Sequence, residues 1–239
     1  MKVMFLSFKM LLRQVARDGM LLAACIGPLL AACFFRFLIP ALEQFLCAYF
    51  HMPQIIAPYY LLIDLFLSMI TPYMFCFASA MVLLTEFDEH MAGYFAVTPI
   101  GKAGYLLSRL ILPAAMAFMA SLALVTGFSL TPWRLLYAAA VCFLSTLICL
   151  NIALMLFAFS GNRVEGMAIA KAAGLILLGL PVPFVFSESI QFFFAPLPSF
   201  WLAKFAAGQN GWHLAAGLVV SAAWLLGLKG ILMRKLAAG

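Results

Sequence analysis

Glu86, Asp88 and Glu89 fall within four consecutive positions of a chain that is 67% hydrophobic, 9% charged and carries only eight acidic residues. Three carboxylates this close can present a negative surface to a basic partner. Nothing beside them points to catalysis. His51, His90 and His213 are scattered, with no carboxylate or cysteine grouped around them, so neither a metal site nor a catalytic residue is expected. No GxxxxGK[ST] phosphate loop occurs, so the chain is not expected to bind and hydrolyse ATP itself. The six cysteines form no CxxC. Cys25, Cys33, Cys76, Cys142 and Cys149 lie in apolar runs and read as small buried residues, with Cys47 in a loop.

Two further charges lie within apolar runs. At 1.5 Å per residue, Arg36 falls ~24 Å up the first run from Met20 and Asp64 ~31 Å up the second from Thr85. One reading pairs them at the outer end of a pathway; the other lets Arg36 snorkel to headgroups while Asp64 sits at the interface. Asn151 and Glu188 are weaker candidates; Asn151 reads as an interhelical hydrogen bond, and Glu165 as either a partner-facing or a solvated loop acid. Phe193, Phe194 and Phe200, with Phe192 and Trp201, form an aromatic cluster. It reads either as a headgroup anchor or as an outer gate for an amphipathic substrate.

The elements that must carry these residues follow from composition. Soluble domains are nearer half apolar, and runs this long and unbroken favour membrane helices over a barrel. An all-α membrane protein is therefore expected, as one transmembrane domain over 1–239. Residues 1–18 read as an interfacial helix, with Lys2, Lys9, Arg13 and Arg17 on one face and Met4, Phe5, Phe8, Leu11, Leu12 and Val15 on the other. A plain basic flank is the alternative. Six spans are expected near 20–42, 58–84, 103–128, 133–159, 168–187 and 212–233. Pro181 and Pro183 should break the fifth, and 188–200 reads as a re-entrant or interfacial piece. With the N-terminus inside, eleven of the 14 Lys and Arg residues fall on the inner side and only Arg134 and Lys204 on the outer. Both termini and the 85–102 segment should then be cytoplasmic. Basic residues that flank spans suit membrane lipids, and no nucleic-acid partner is expected.

Within 85–102, Thr85 reads as a helix N-cap with acids in the first turn, giving a surface helix over about 86–97. Thr98 and Pro99 restart a helix as N-cap and first position. Such a helix is either a mechanical handle for a partner or a solvated connector. An ATP-independent transporter or channel is the rival function, but it would show ionisable residues near the midplane or matched halves.

Glu86-x-Asp88-Glu89, then Gly93, then Val97-Thr98-Pro99-Ile100, then Tyr105-Leu-Leu-Ser-Arg109 resembles the intracellular signature of type 2 ABC-transporter permeases. The similarity is nearest to the short drug-export permeases of bacteria. That resemblance implies a multi-pass protein of the bacterial cell membrane, the membrane subunit of an ATP-driven exporter of an amphipathic or hydrophobic substrate. It implies a separate ABC ATP-binding subunit carrying ATP and Mg, and a second permease copy, identical or related. Glu86, Asp88, Glu89, Thr98 and Pro99 would lie in or beside the helix that couples to the ATPase.

Overall fold

The computed structural model describes residues 2–89 and 101–238. All their regular structure is helical. Five helical runs are long and apolar enough to cross a membrane: Gly19–Phe50, Ala57–Asp88, Arg109–Phe128, Leu135–Phe159 and Gly211–Leu232.

Helix α1 (Lys2–Arg17) is amphipathic, with Leu11 and Val15 buried and Lys9, Arg13 and Arg17 exposed. It stops at Asp18, which caps α2 (Gly19–Cys33) by accepting from Met20 N at 3.0 Å and Leu21 N at 3.2 Å. A π-helical turn, Phe34–Leu38, joins α2 to α3 (Ile39–Phe50). This run extends eight residues past the end of the expected first span and includes Cys47, which had been expected in a loop. His51, with φ at 51°, ends it. Glu43 pins the return, accepting from Ile55 N at 3.0 Å and Ile56 N at 2.6 Å.

Helix α4 (Tyr60–Asp88) then runs back, α5 (Gly101–Phe128) follows the undescribed segment, and α6 (Leu135–Phe159) completes a central trio. Helix α6 packs on α4, α5 and α9 (Gly211–Ala238), and most of its side chains are buried. Ser68 holds the three together: its hydroxyl lies 3.1 Å from that of Ser145 on α6, and its carbonyl accepts from Ser121 Oγ on α5 at 3.0 Å.

The expected fifth span, 168–187, is not a continuous helix. Helix α7 (Arg163–Ala173) gives way to a 3-10 turn at Gly174–Gly179, well before the prolines. Single turns at Val182–Val185 and Glu188–Gln191 follow, then α8 (Pro198–Gly208). Pro181, Pro183, Pro196 and Pro198 each deny a helix one N–H, but the earlier break depends on tertiary contacts. Tyr73 Oη on α4 donates to Ala170 O at 3.1 Å, and Ser199 Oγ donates to Ile176 O. Helix α7 starts where α4 ends, while Phe205 on α8 accepts from Tyr137 at the start of α6. These short helices therefore carry the chain from one end of the bundle to the other.

Gly179 sits at the tightest point. A Cβ there would lie 2.6 Å from the backbone nitrogen of Phe200, a contact that a side-chain rotation cannot relieve. Gly179→Ala should therefore destabilise the protein by ~1–3 kcal/mol, read as a lower unfolding temperature in detergent. An unchanged unfolding temperature would show that α8 does not depend on this contact.

Candidate functional site

The charged residues occupy the two ends of the bundle. At one end α4 does not restart at Thr85. It runs unbroken to Asp88, and Thr85 Oγ1 donates back to Met81 O at 3.0 Å instead of capping a new helix. The acids thus sit in a last turn, where the helix dipole disfavours them. Glu86 is accommodated because Arg109 of α5 reaches it. Both side chains are 1% exposed, and Arg109 Nε donates to Glu86 Oε2 at 3.0 Å while Nη2 donates to Oε1. Ser79 Oγ also donates to Arg109 O. Glu86 is therefore buried in an ion pair and is not part of a surface handle. Asp88 and Glu89 are exposed. The remainder of the expected 86–97 helix, with Thr98 and Pro99, lies outside the described residues.

Two contacts that sequence reasoning missed close this end. Arg163 pairs with Asp18, joining the start of α7 to the start of α2, and its hydrogen bond holds the Asp18 carboxyl below the usual carboxylate range. Lys235 Nζ donates to Phe157 O and Ser160 O, the last carbonyls of α6, and lies 4.4 Å from the Phe157 ring centroid. A lysine near a helix C-terminus satisfies orphan carbonyls and complements the dipole. Its only sequence signal was a basic residue in the last turn of the final apolar run.

At the other end Arg36 and Asp64 do not pair. Asp64, 1% exposed, is fully engaged by the turn between α5 and α6. It accepts from Leu130 N at 2.8 Å, Thr131 N at 2.9 Å and Trp133 Nε1 at 3.0 Å, and from Thr131 Oγ1. Arg36 is exposed and donates through Nη1 to Ser129 O of the same turn, at 2.7 Å. Two charges from distant elements thus meet one loop in place of each other. Two backbone N–H groups, a hydroxyl and an indole N–H outcompete a distant guanidinium because all four converge on one carboxylate.

The aromatic trio does not form one cluster. Phe193 is 83% exposed, Phe194 is half-buried against it with ring centroids 5.7 Å apart, and Phe200 is 1% exposed inside α8. Trp224, midway along α9, donates to Pro196 O at 3.1 Å, while Trp201 lies beside His213 near the Gly211 end, ring centroids 6.2 Å apart, so the cluster is spread along α9. Asn151 donates to Ser221 O on α9 at 3.1 Å, the interhelical bond expected of it. Among the described residues no three His, Cys, Asp or Glu side chains come together as a metal site.

The family described as fluoroquinolones export permease protein Rv2686c-like matches residues 11–229. The chain is 24% identical over 226 residues to the fluoroquinolones export permease protein Rv2686c of Mycobacterium tuberculosis strain H37Rv, covering 90% of this chain and 88% of that protein. The protein MT2760 of strain CDC 1551, described in the same words, matches to the same extent. No solved structure matches the chain.

Two substitutions test these ends. Glu86→Gln should cost ~3–5 kcal/mol by leaving the Arg109 charge buried, and Glu86→Met with Arg109→Met should recover part of that loss. Chemical or thermal unfolding of both variants gives the comparison, and a double variant at least as destabilised as Glu86→Gln would mean that the pair is not coupled. Asp64→Asn places an amide NH2 against converging donors and should cost ~1–3 kcal/mol. Its tryptophan emission should shift to the red as Trp133 loses its anchor.

Proposed function

Because the chain belongs to the family of Rv2686c-like fluoroquinolone export permeases, we propose that it is the membrane subunit of an ATP-driven exporter for amphipathic drugs. The family match over residues 11–229 is the observation that carries this reading. A drug-export permease is a transport subunit, and in this reading a separate ABC ATP-binding subunit holds ATP and Mg and supplies the energy. A second permease copy, identical or related, completes the pathway.

Geometry supports the finer points. The Lys and Arg distribution supports an orientation with the Glu86 end and both termini in the cytosol and the Asp64 end outside. Helices α7 and α8 in series then make a sixth crossing of a bacterial cell membrane, each supplying about half of it. Under this orientation the exposed Asp88 and Glu89 stand at the cytosolic end of α4, where the undescribed segment begins, and an ATPase subunit bears on them. Glu86 transmits that push. Its ion pair makes the ends of α4 and α5 move as one body, so a force on the connecting segment reaches both helices.

The experiment is to purify the tagged protein in mild detergent and identify stoichiometric companions by mass spectrometry, beside an Asp88→Lys/Glu89→Lys variant. An ATP-binding subunit should accompany the wild type and be lost or reduced several-fold in the variant. Reproducible absence of any such companion from an intact wild-type preparation would favour an ATP-independent transporter. Equal recovery with the variant would move the contact elsewhere.

A further inference from the structure

Several apolar runs stop at one level of the bundle. The first begins at Gly19, the second ends at Asp88 and the fourth ends at Phe159. Where such runs stop, the hydrocarbon core of the bilayer stops too, so their ends stand at the depth of the lipid headgroups. A cavity of about 480 Å³ lies at this level, between α1, the start of α2, the end of α4 and the start of α7. It is open and polar, as a headgroup site at the membrane surface must be.

Its charges balance, and only half of them are used. Arg17, Arg163, Asp18 and Glu89 all line it. Asp18 and Arg163 pair with each other, and Asp18 also caps α2. Arg17 and Glu89 are exposed, and neither has an ion-pair partner among the described residues. A guanidinium and a carboxylate that line one cavity without pairing leave room for a molecule that carries both charges. Gln14 lines the cavity as well, and its amide oxygen is shut away with no donor. Such an oxygen is costly, and a donor entering the cavity relieves it once the amide turns. Lys9, Arg13 and Arg17, four residues apart along α1 and all exposed, draw lipid phosphates to this side. Leu21 completes the lining, and its neighbours Met20 and Leu22 are exposed apolar side chains that acyl chains can cover.

We propose that this cavity holds the headgroup of a phospholipid with a primary ammonium, the phosphatidylethanolamine class, with Arg17 on the phosphate and Glu89 on the ammonium. A guanidinium fork suits a phosphate, and an ammonium brings three N–H donors to the carboxylate. Phosphatidylglycerol has no cation to offer Glu89, and a choline headgroup has the charge but no N–H. The bound headgroup bridges α1 to the end of α4, so lipid holds the interfacial helix on the bundle together with Leu11 and Val15. The inference goes beyond the drug-export reading and does not depend on it, since the lipid is bound by the permease alone. A soluble phosphoethanolamine ester offers the same two charges, and the test separates it from the lipid.

The full chain is placed in nanodiscs of phosphatidylcholine, alone or with a minor share of phosphatidylethanolamine, its N-monomethyl or N-dimethyl form, or phosphatidylglycerol. Wild type should unfold ~3–6 °C higher with phosphatidylethanolamine than with phosphatidylcholine alone, the shift that about tenfold saturation gives a chain of this size. The rise should shrink with each added methyl, because donors are lost while the charge stays. Arg17→Gln and Glu89→Gln should each lose most of the rise, yet unfold like wild type in phosphatidylcholine alone. If either variant is unstable there, the methyl series on wild type decides. No rise in wild type, or one indifferent to methylation, overturns the inference. A full rise kept by both variants assigns the effect to the bulk bilayer and also overturns it. An equal or larger rise with phosphatidylglycerol makes this a simple anion site, against the inference. The same rise from soluble glycerophosphoethanolamine added to phosphatidylcholine discs overturns the lipid as its source.

Discussion

A charge can enter an apolar helical bundle only where its counterpart is already in place, and that constraint organises this protein. Helices of Leu, Ala, Phe and Met pack against one another without strong preference for register, because apolar contact has no direction. The polar contacts supply the direction. Glu86 with Arg109 aligns α4 and α5, Asp64 seats the turn between α5 and α6 on α4, and Asp18 with Arg163 joins α2 to α7. Each joins different elements of the bundle. Removing one partner of the buried pair leaves a desolvated charge, so the penalty for a wrong register at α4 and α5 is far larger than that for a shifted leucine.

The same rule explains how the chain between α7 and α8 can break repeatedly inside the bundle. An interrupted helix frees carbonyls, and at membrane depth these must find donors within the protein. The donors are side chains: Tyr73 for Ala170, Ser199 for Ile176, Trp201 for Ala195 and Trp224 for Pro196. Three of these four are aromatic residues whose rings also fill the apolar packing. The tyrosine and tryptophans therefore serve the irregular backbone as well as the packing, whereas Phe200, which is interior, and Phe193, which faces outward, carry no donor.

The charges at the two ends differ in kind. At the Glu86 end a buried pair links two helices rigidly, while Asp88 and Glu89 remain exposed at the terminus of α4. At the Asp64 end the acid is enclosed and the arginine is left at a cavity. In both places the neighbours determine which charge is enclosed and which is left exposed.

Four of the long helices were legible from apolar run length alone, because the bilayer imposes a minimum stretch and lipid leaves the backbone no alternative to helix. So was the amphipathic N-terminal helix, whose Leu11 and Val15 are buried where their spacing placed them. The Glu86, Asp88 and Glu89 cluster was visible, but its local grammar misled. Thr85 before acids reads as a start signal, yet buried Leu83 and Leu84 continue α4 through it, and only the approach of Arg109, 23 residues on, makes Glu86 tolerable there. Arg36 and Asp64 were picked out by their setting, while their true partners were backbone and side-chain groups of the 129–133 turn, which no sequence signal tied to either of them. Composition and run length, which act through solvent, determined by themselves that this is a helical membrane protein and roughly where its long helices lie. Which charge meets which partner, and where the helix between α6 and α8 breaks, was decided only by tertiary structure, because those choices depend on atoms brought together across the bundle.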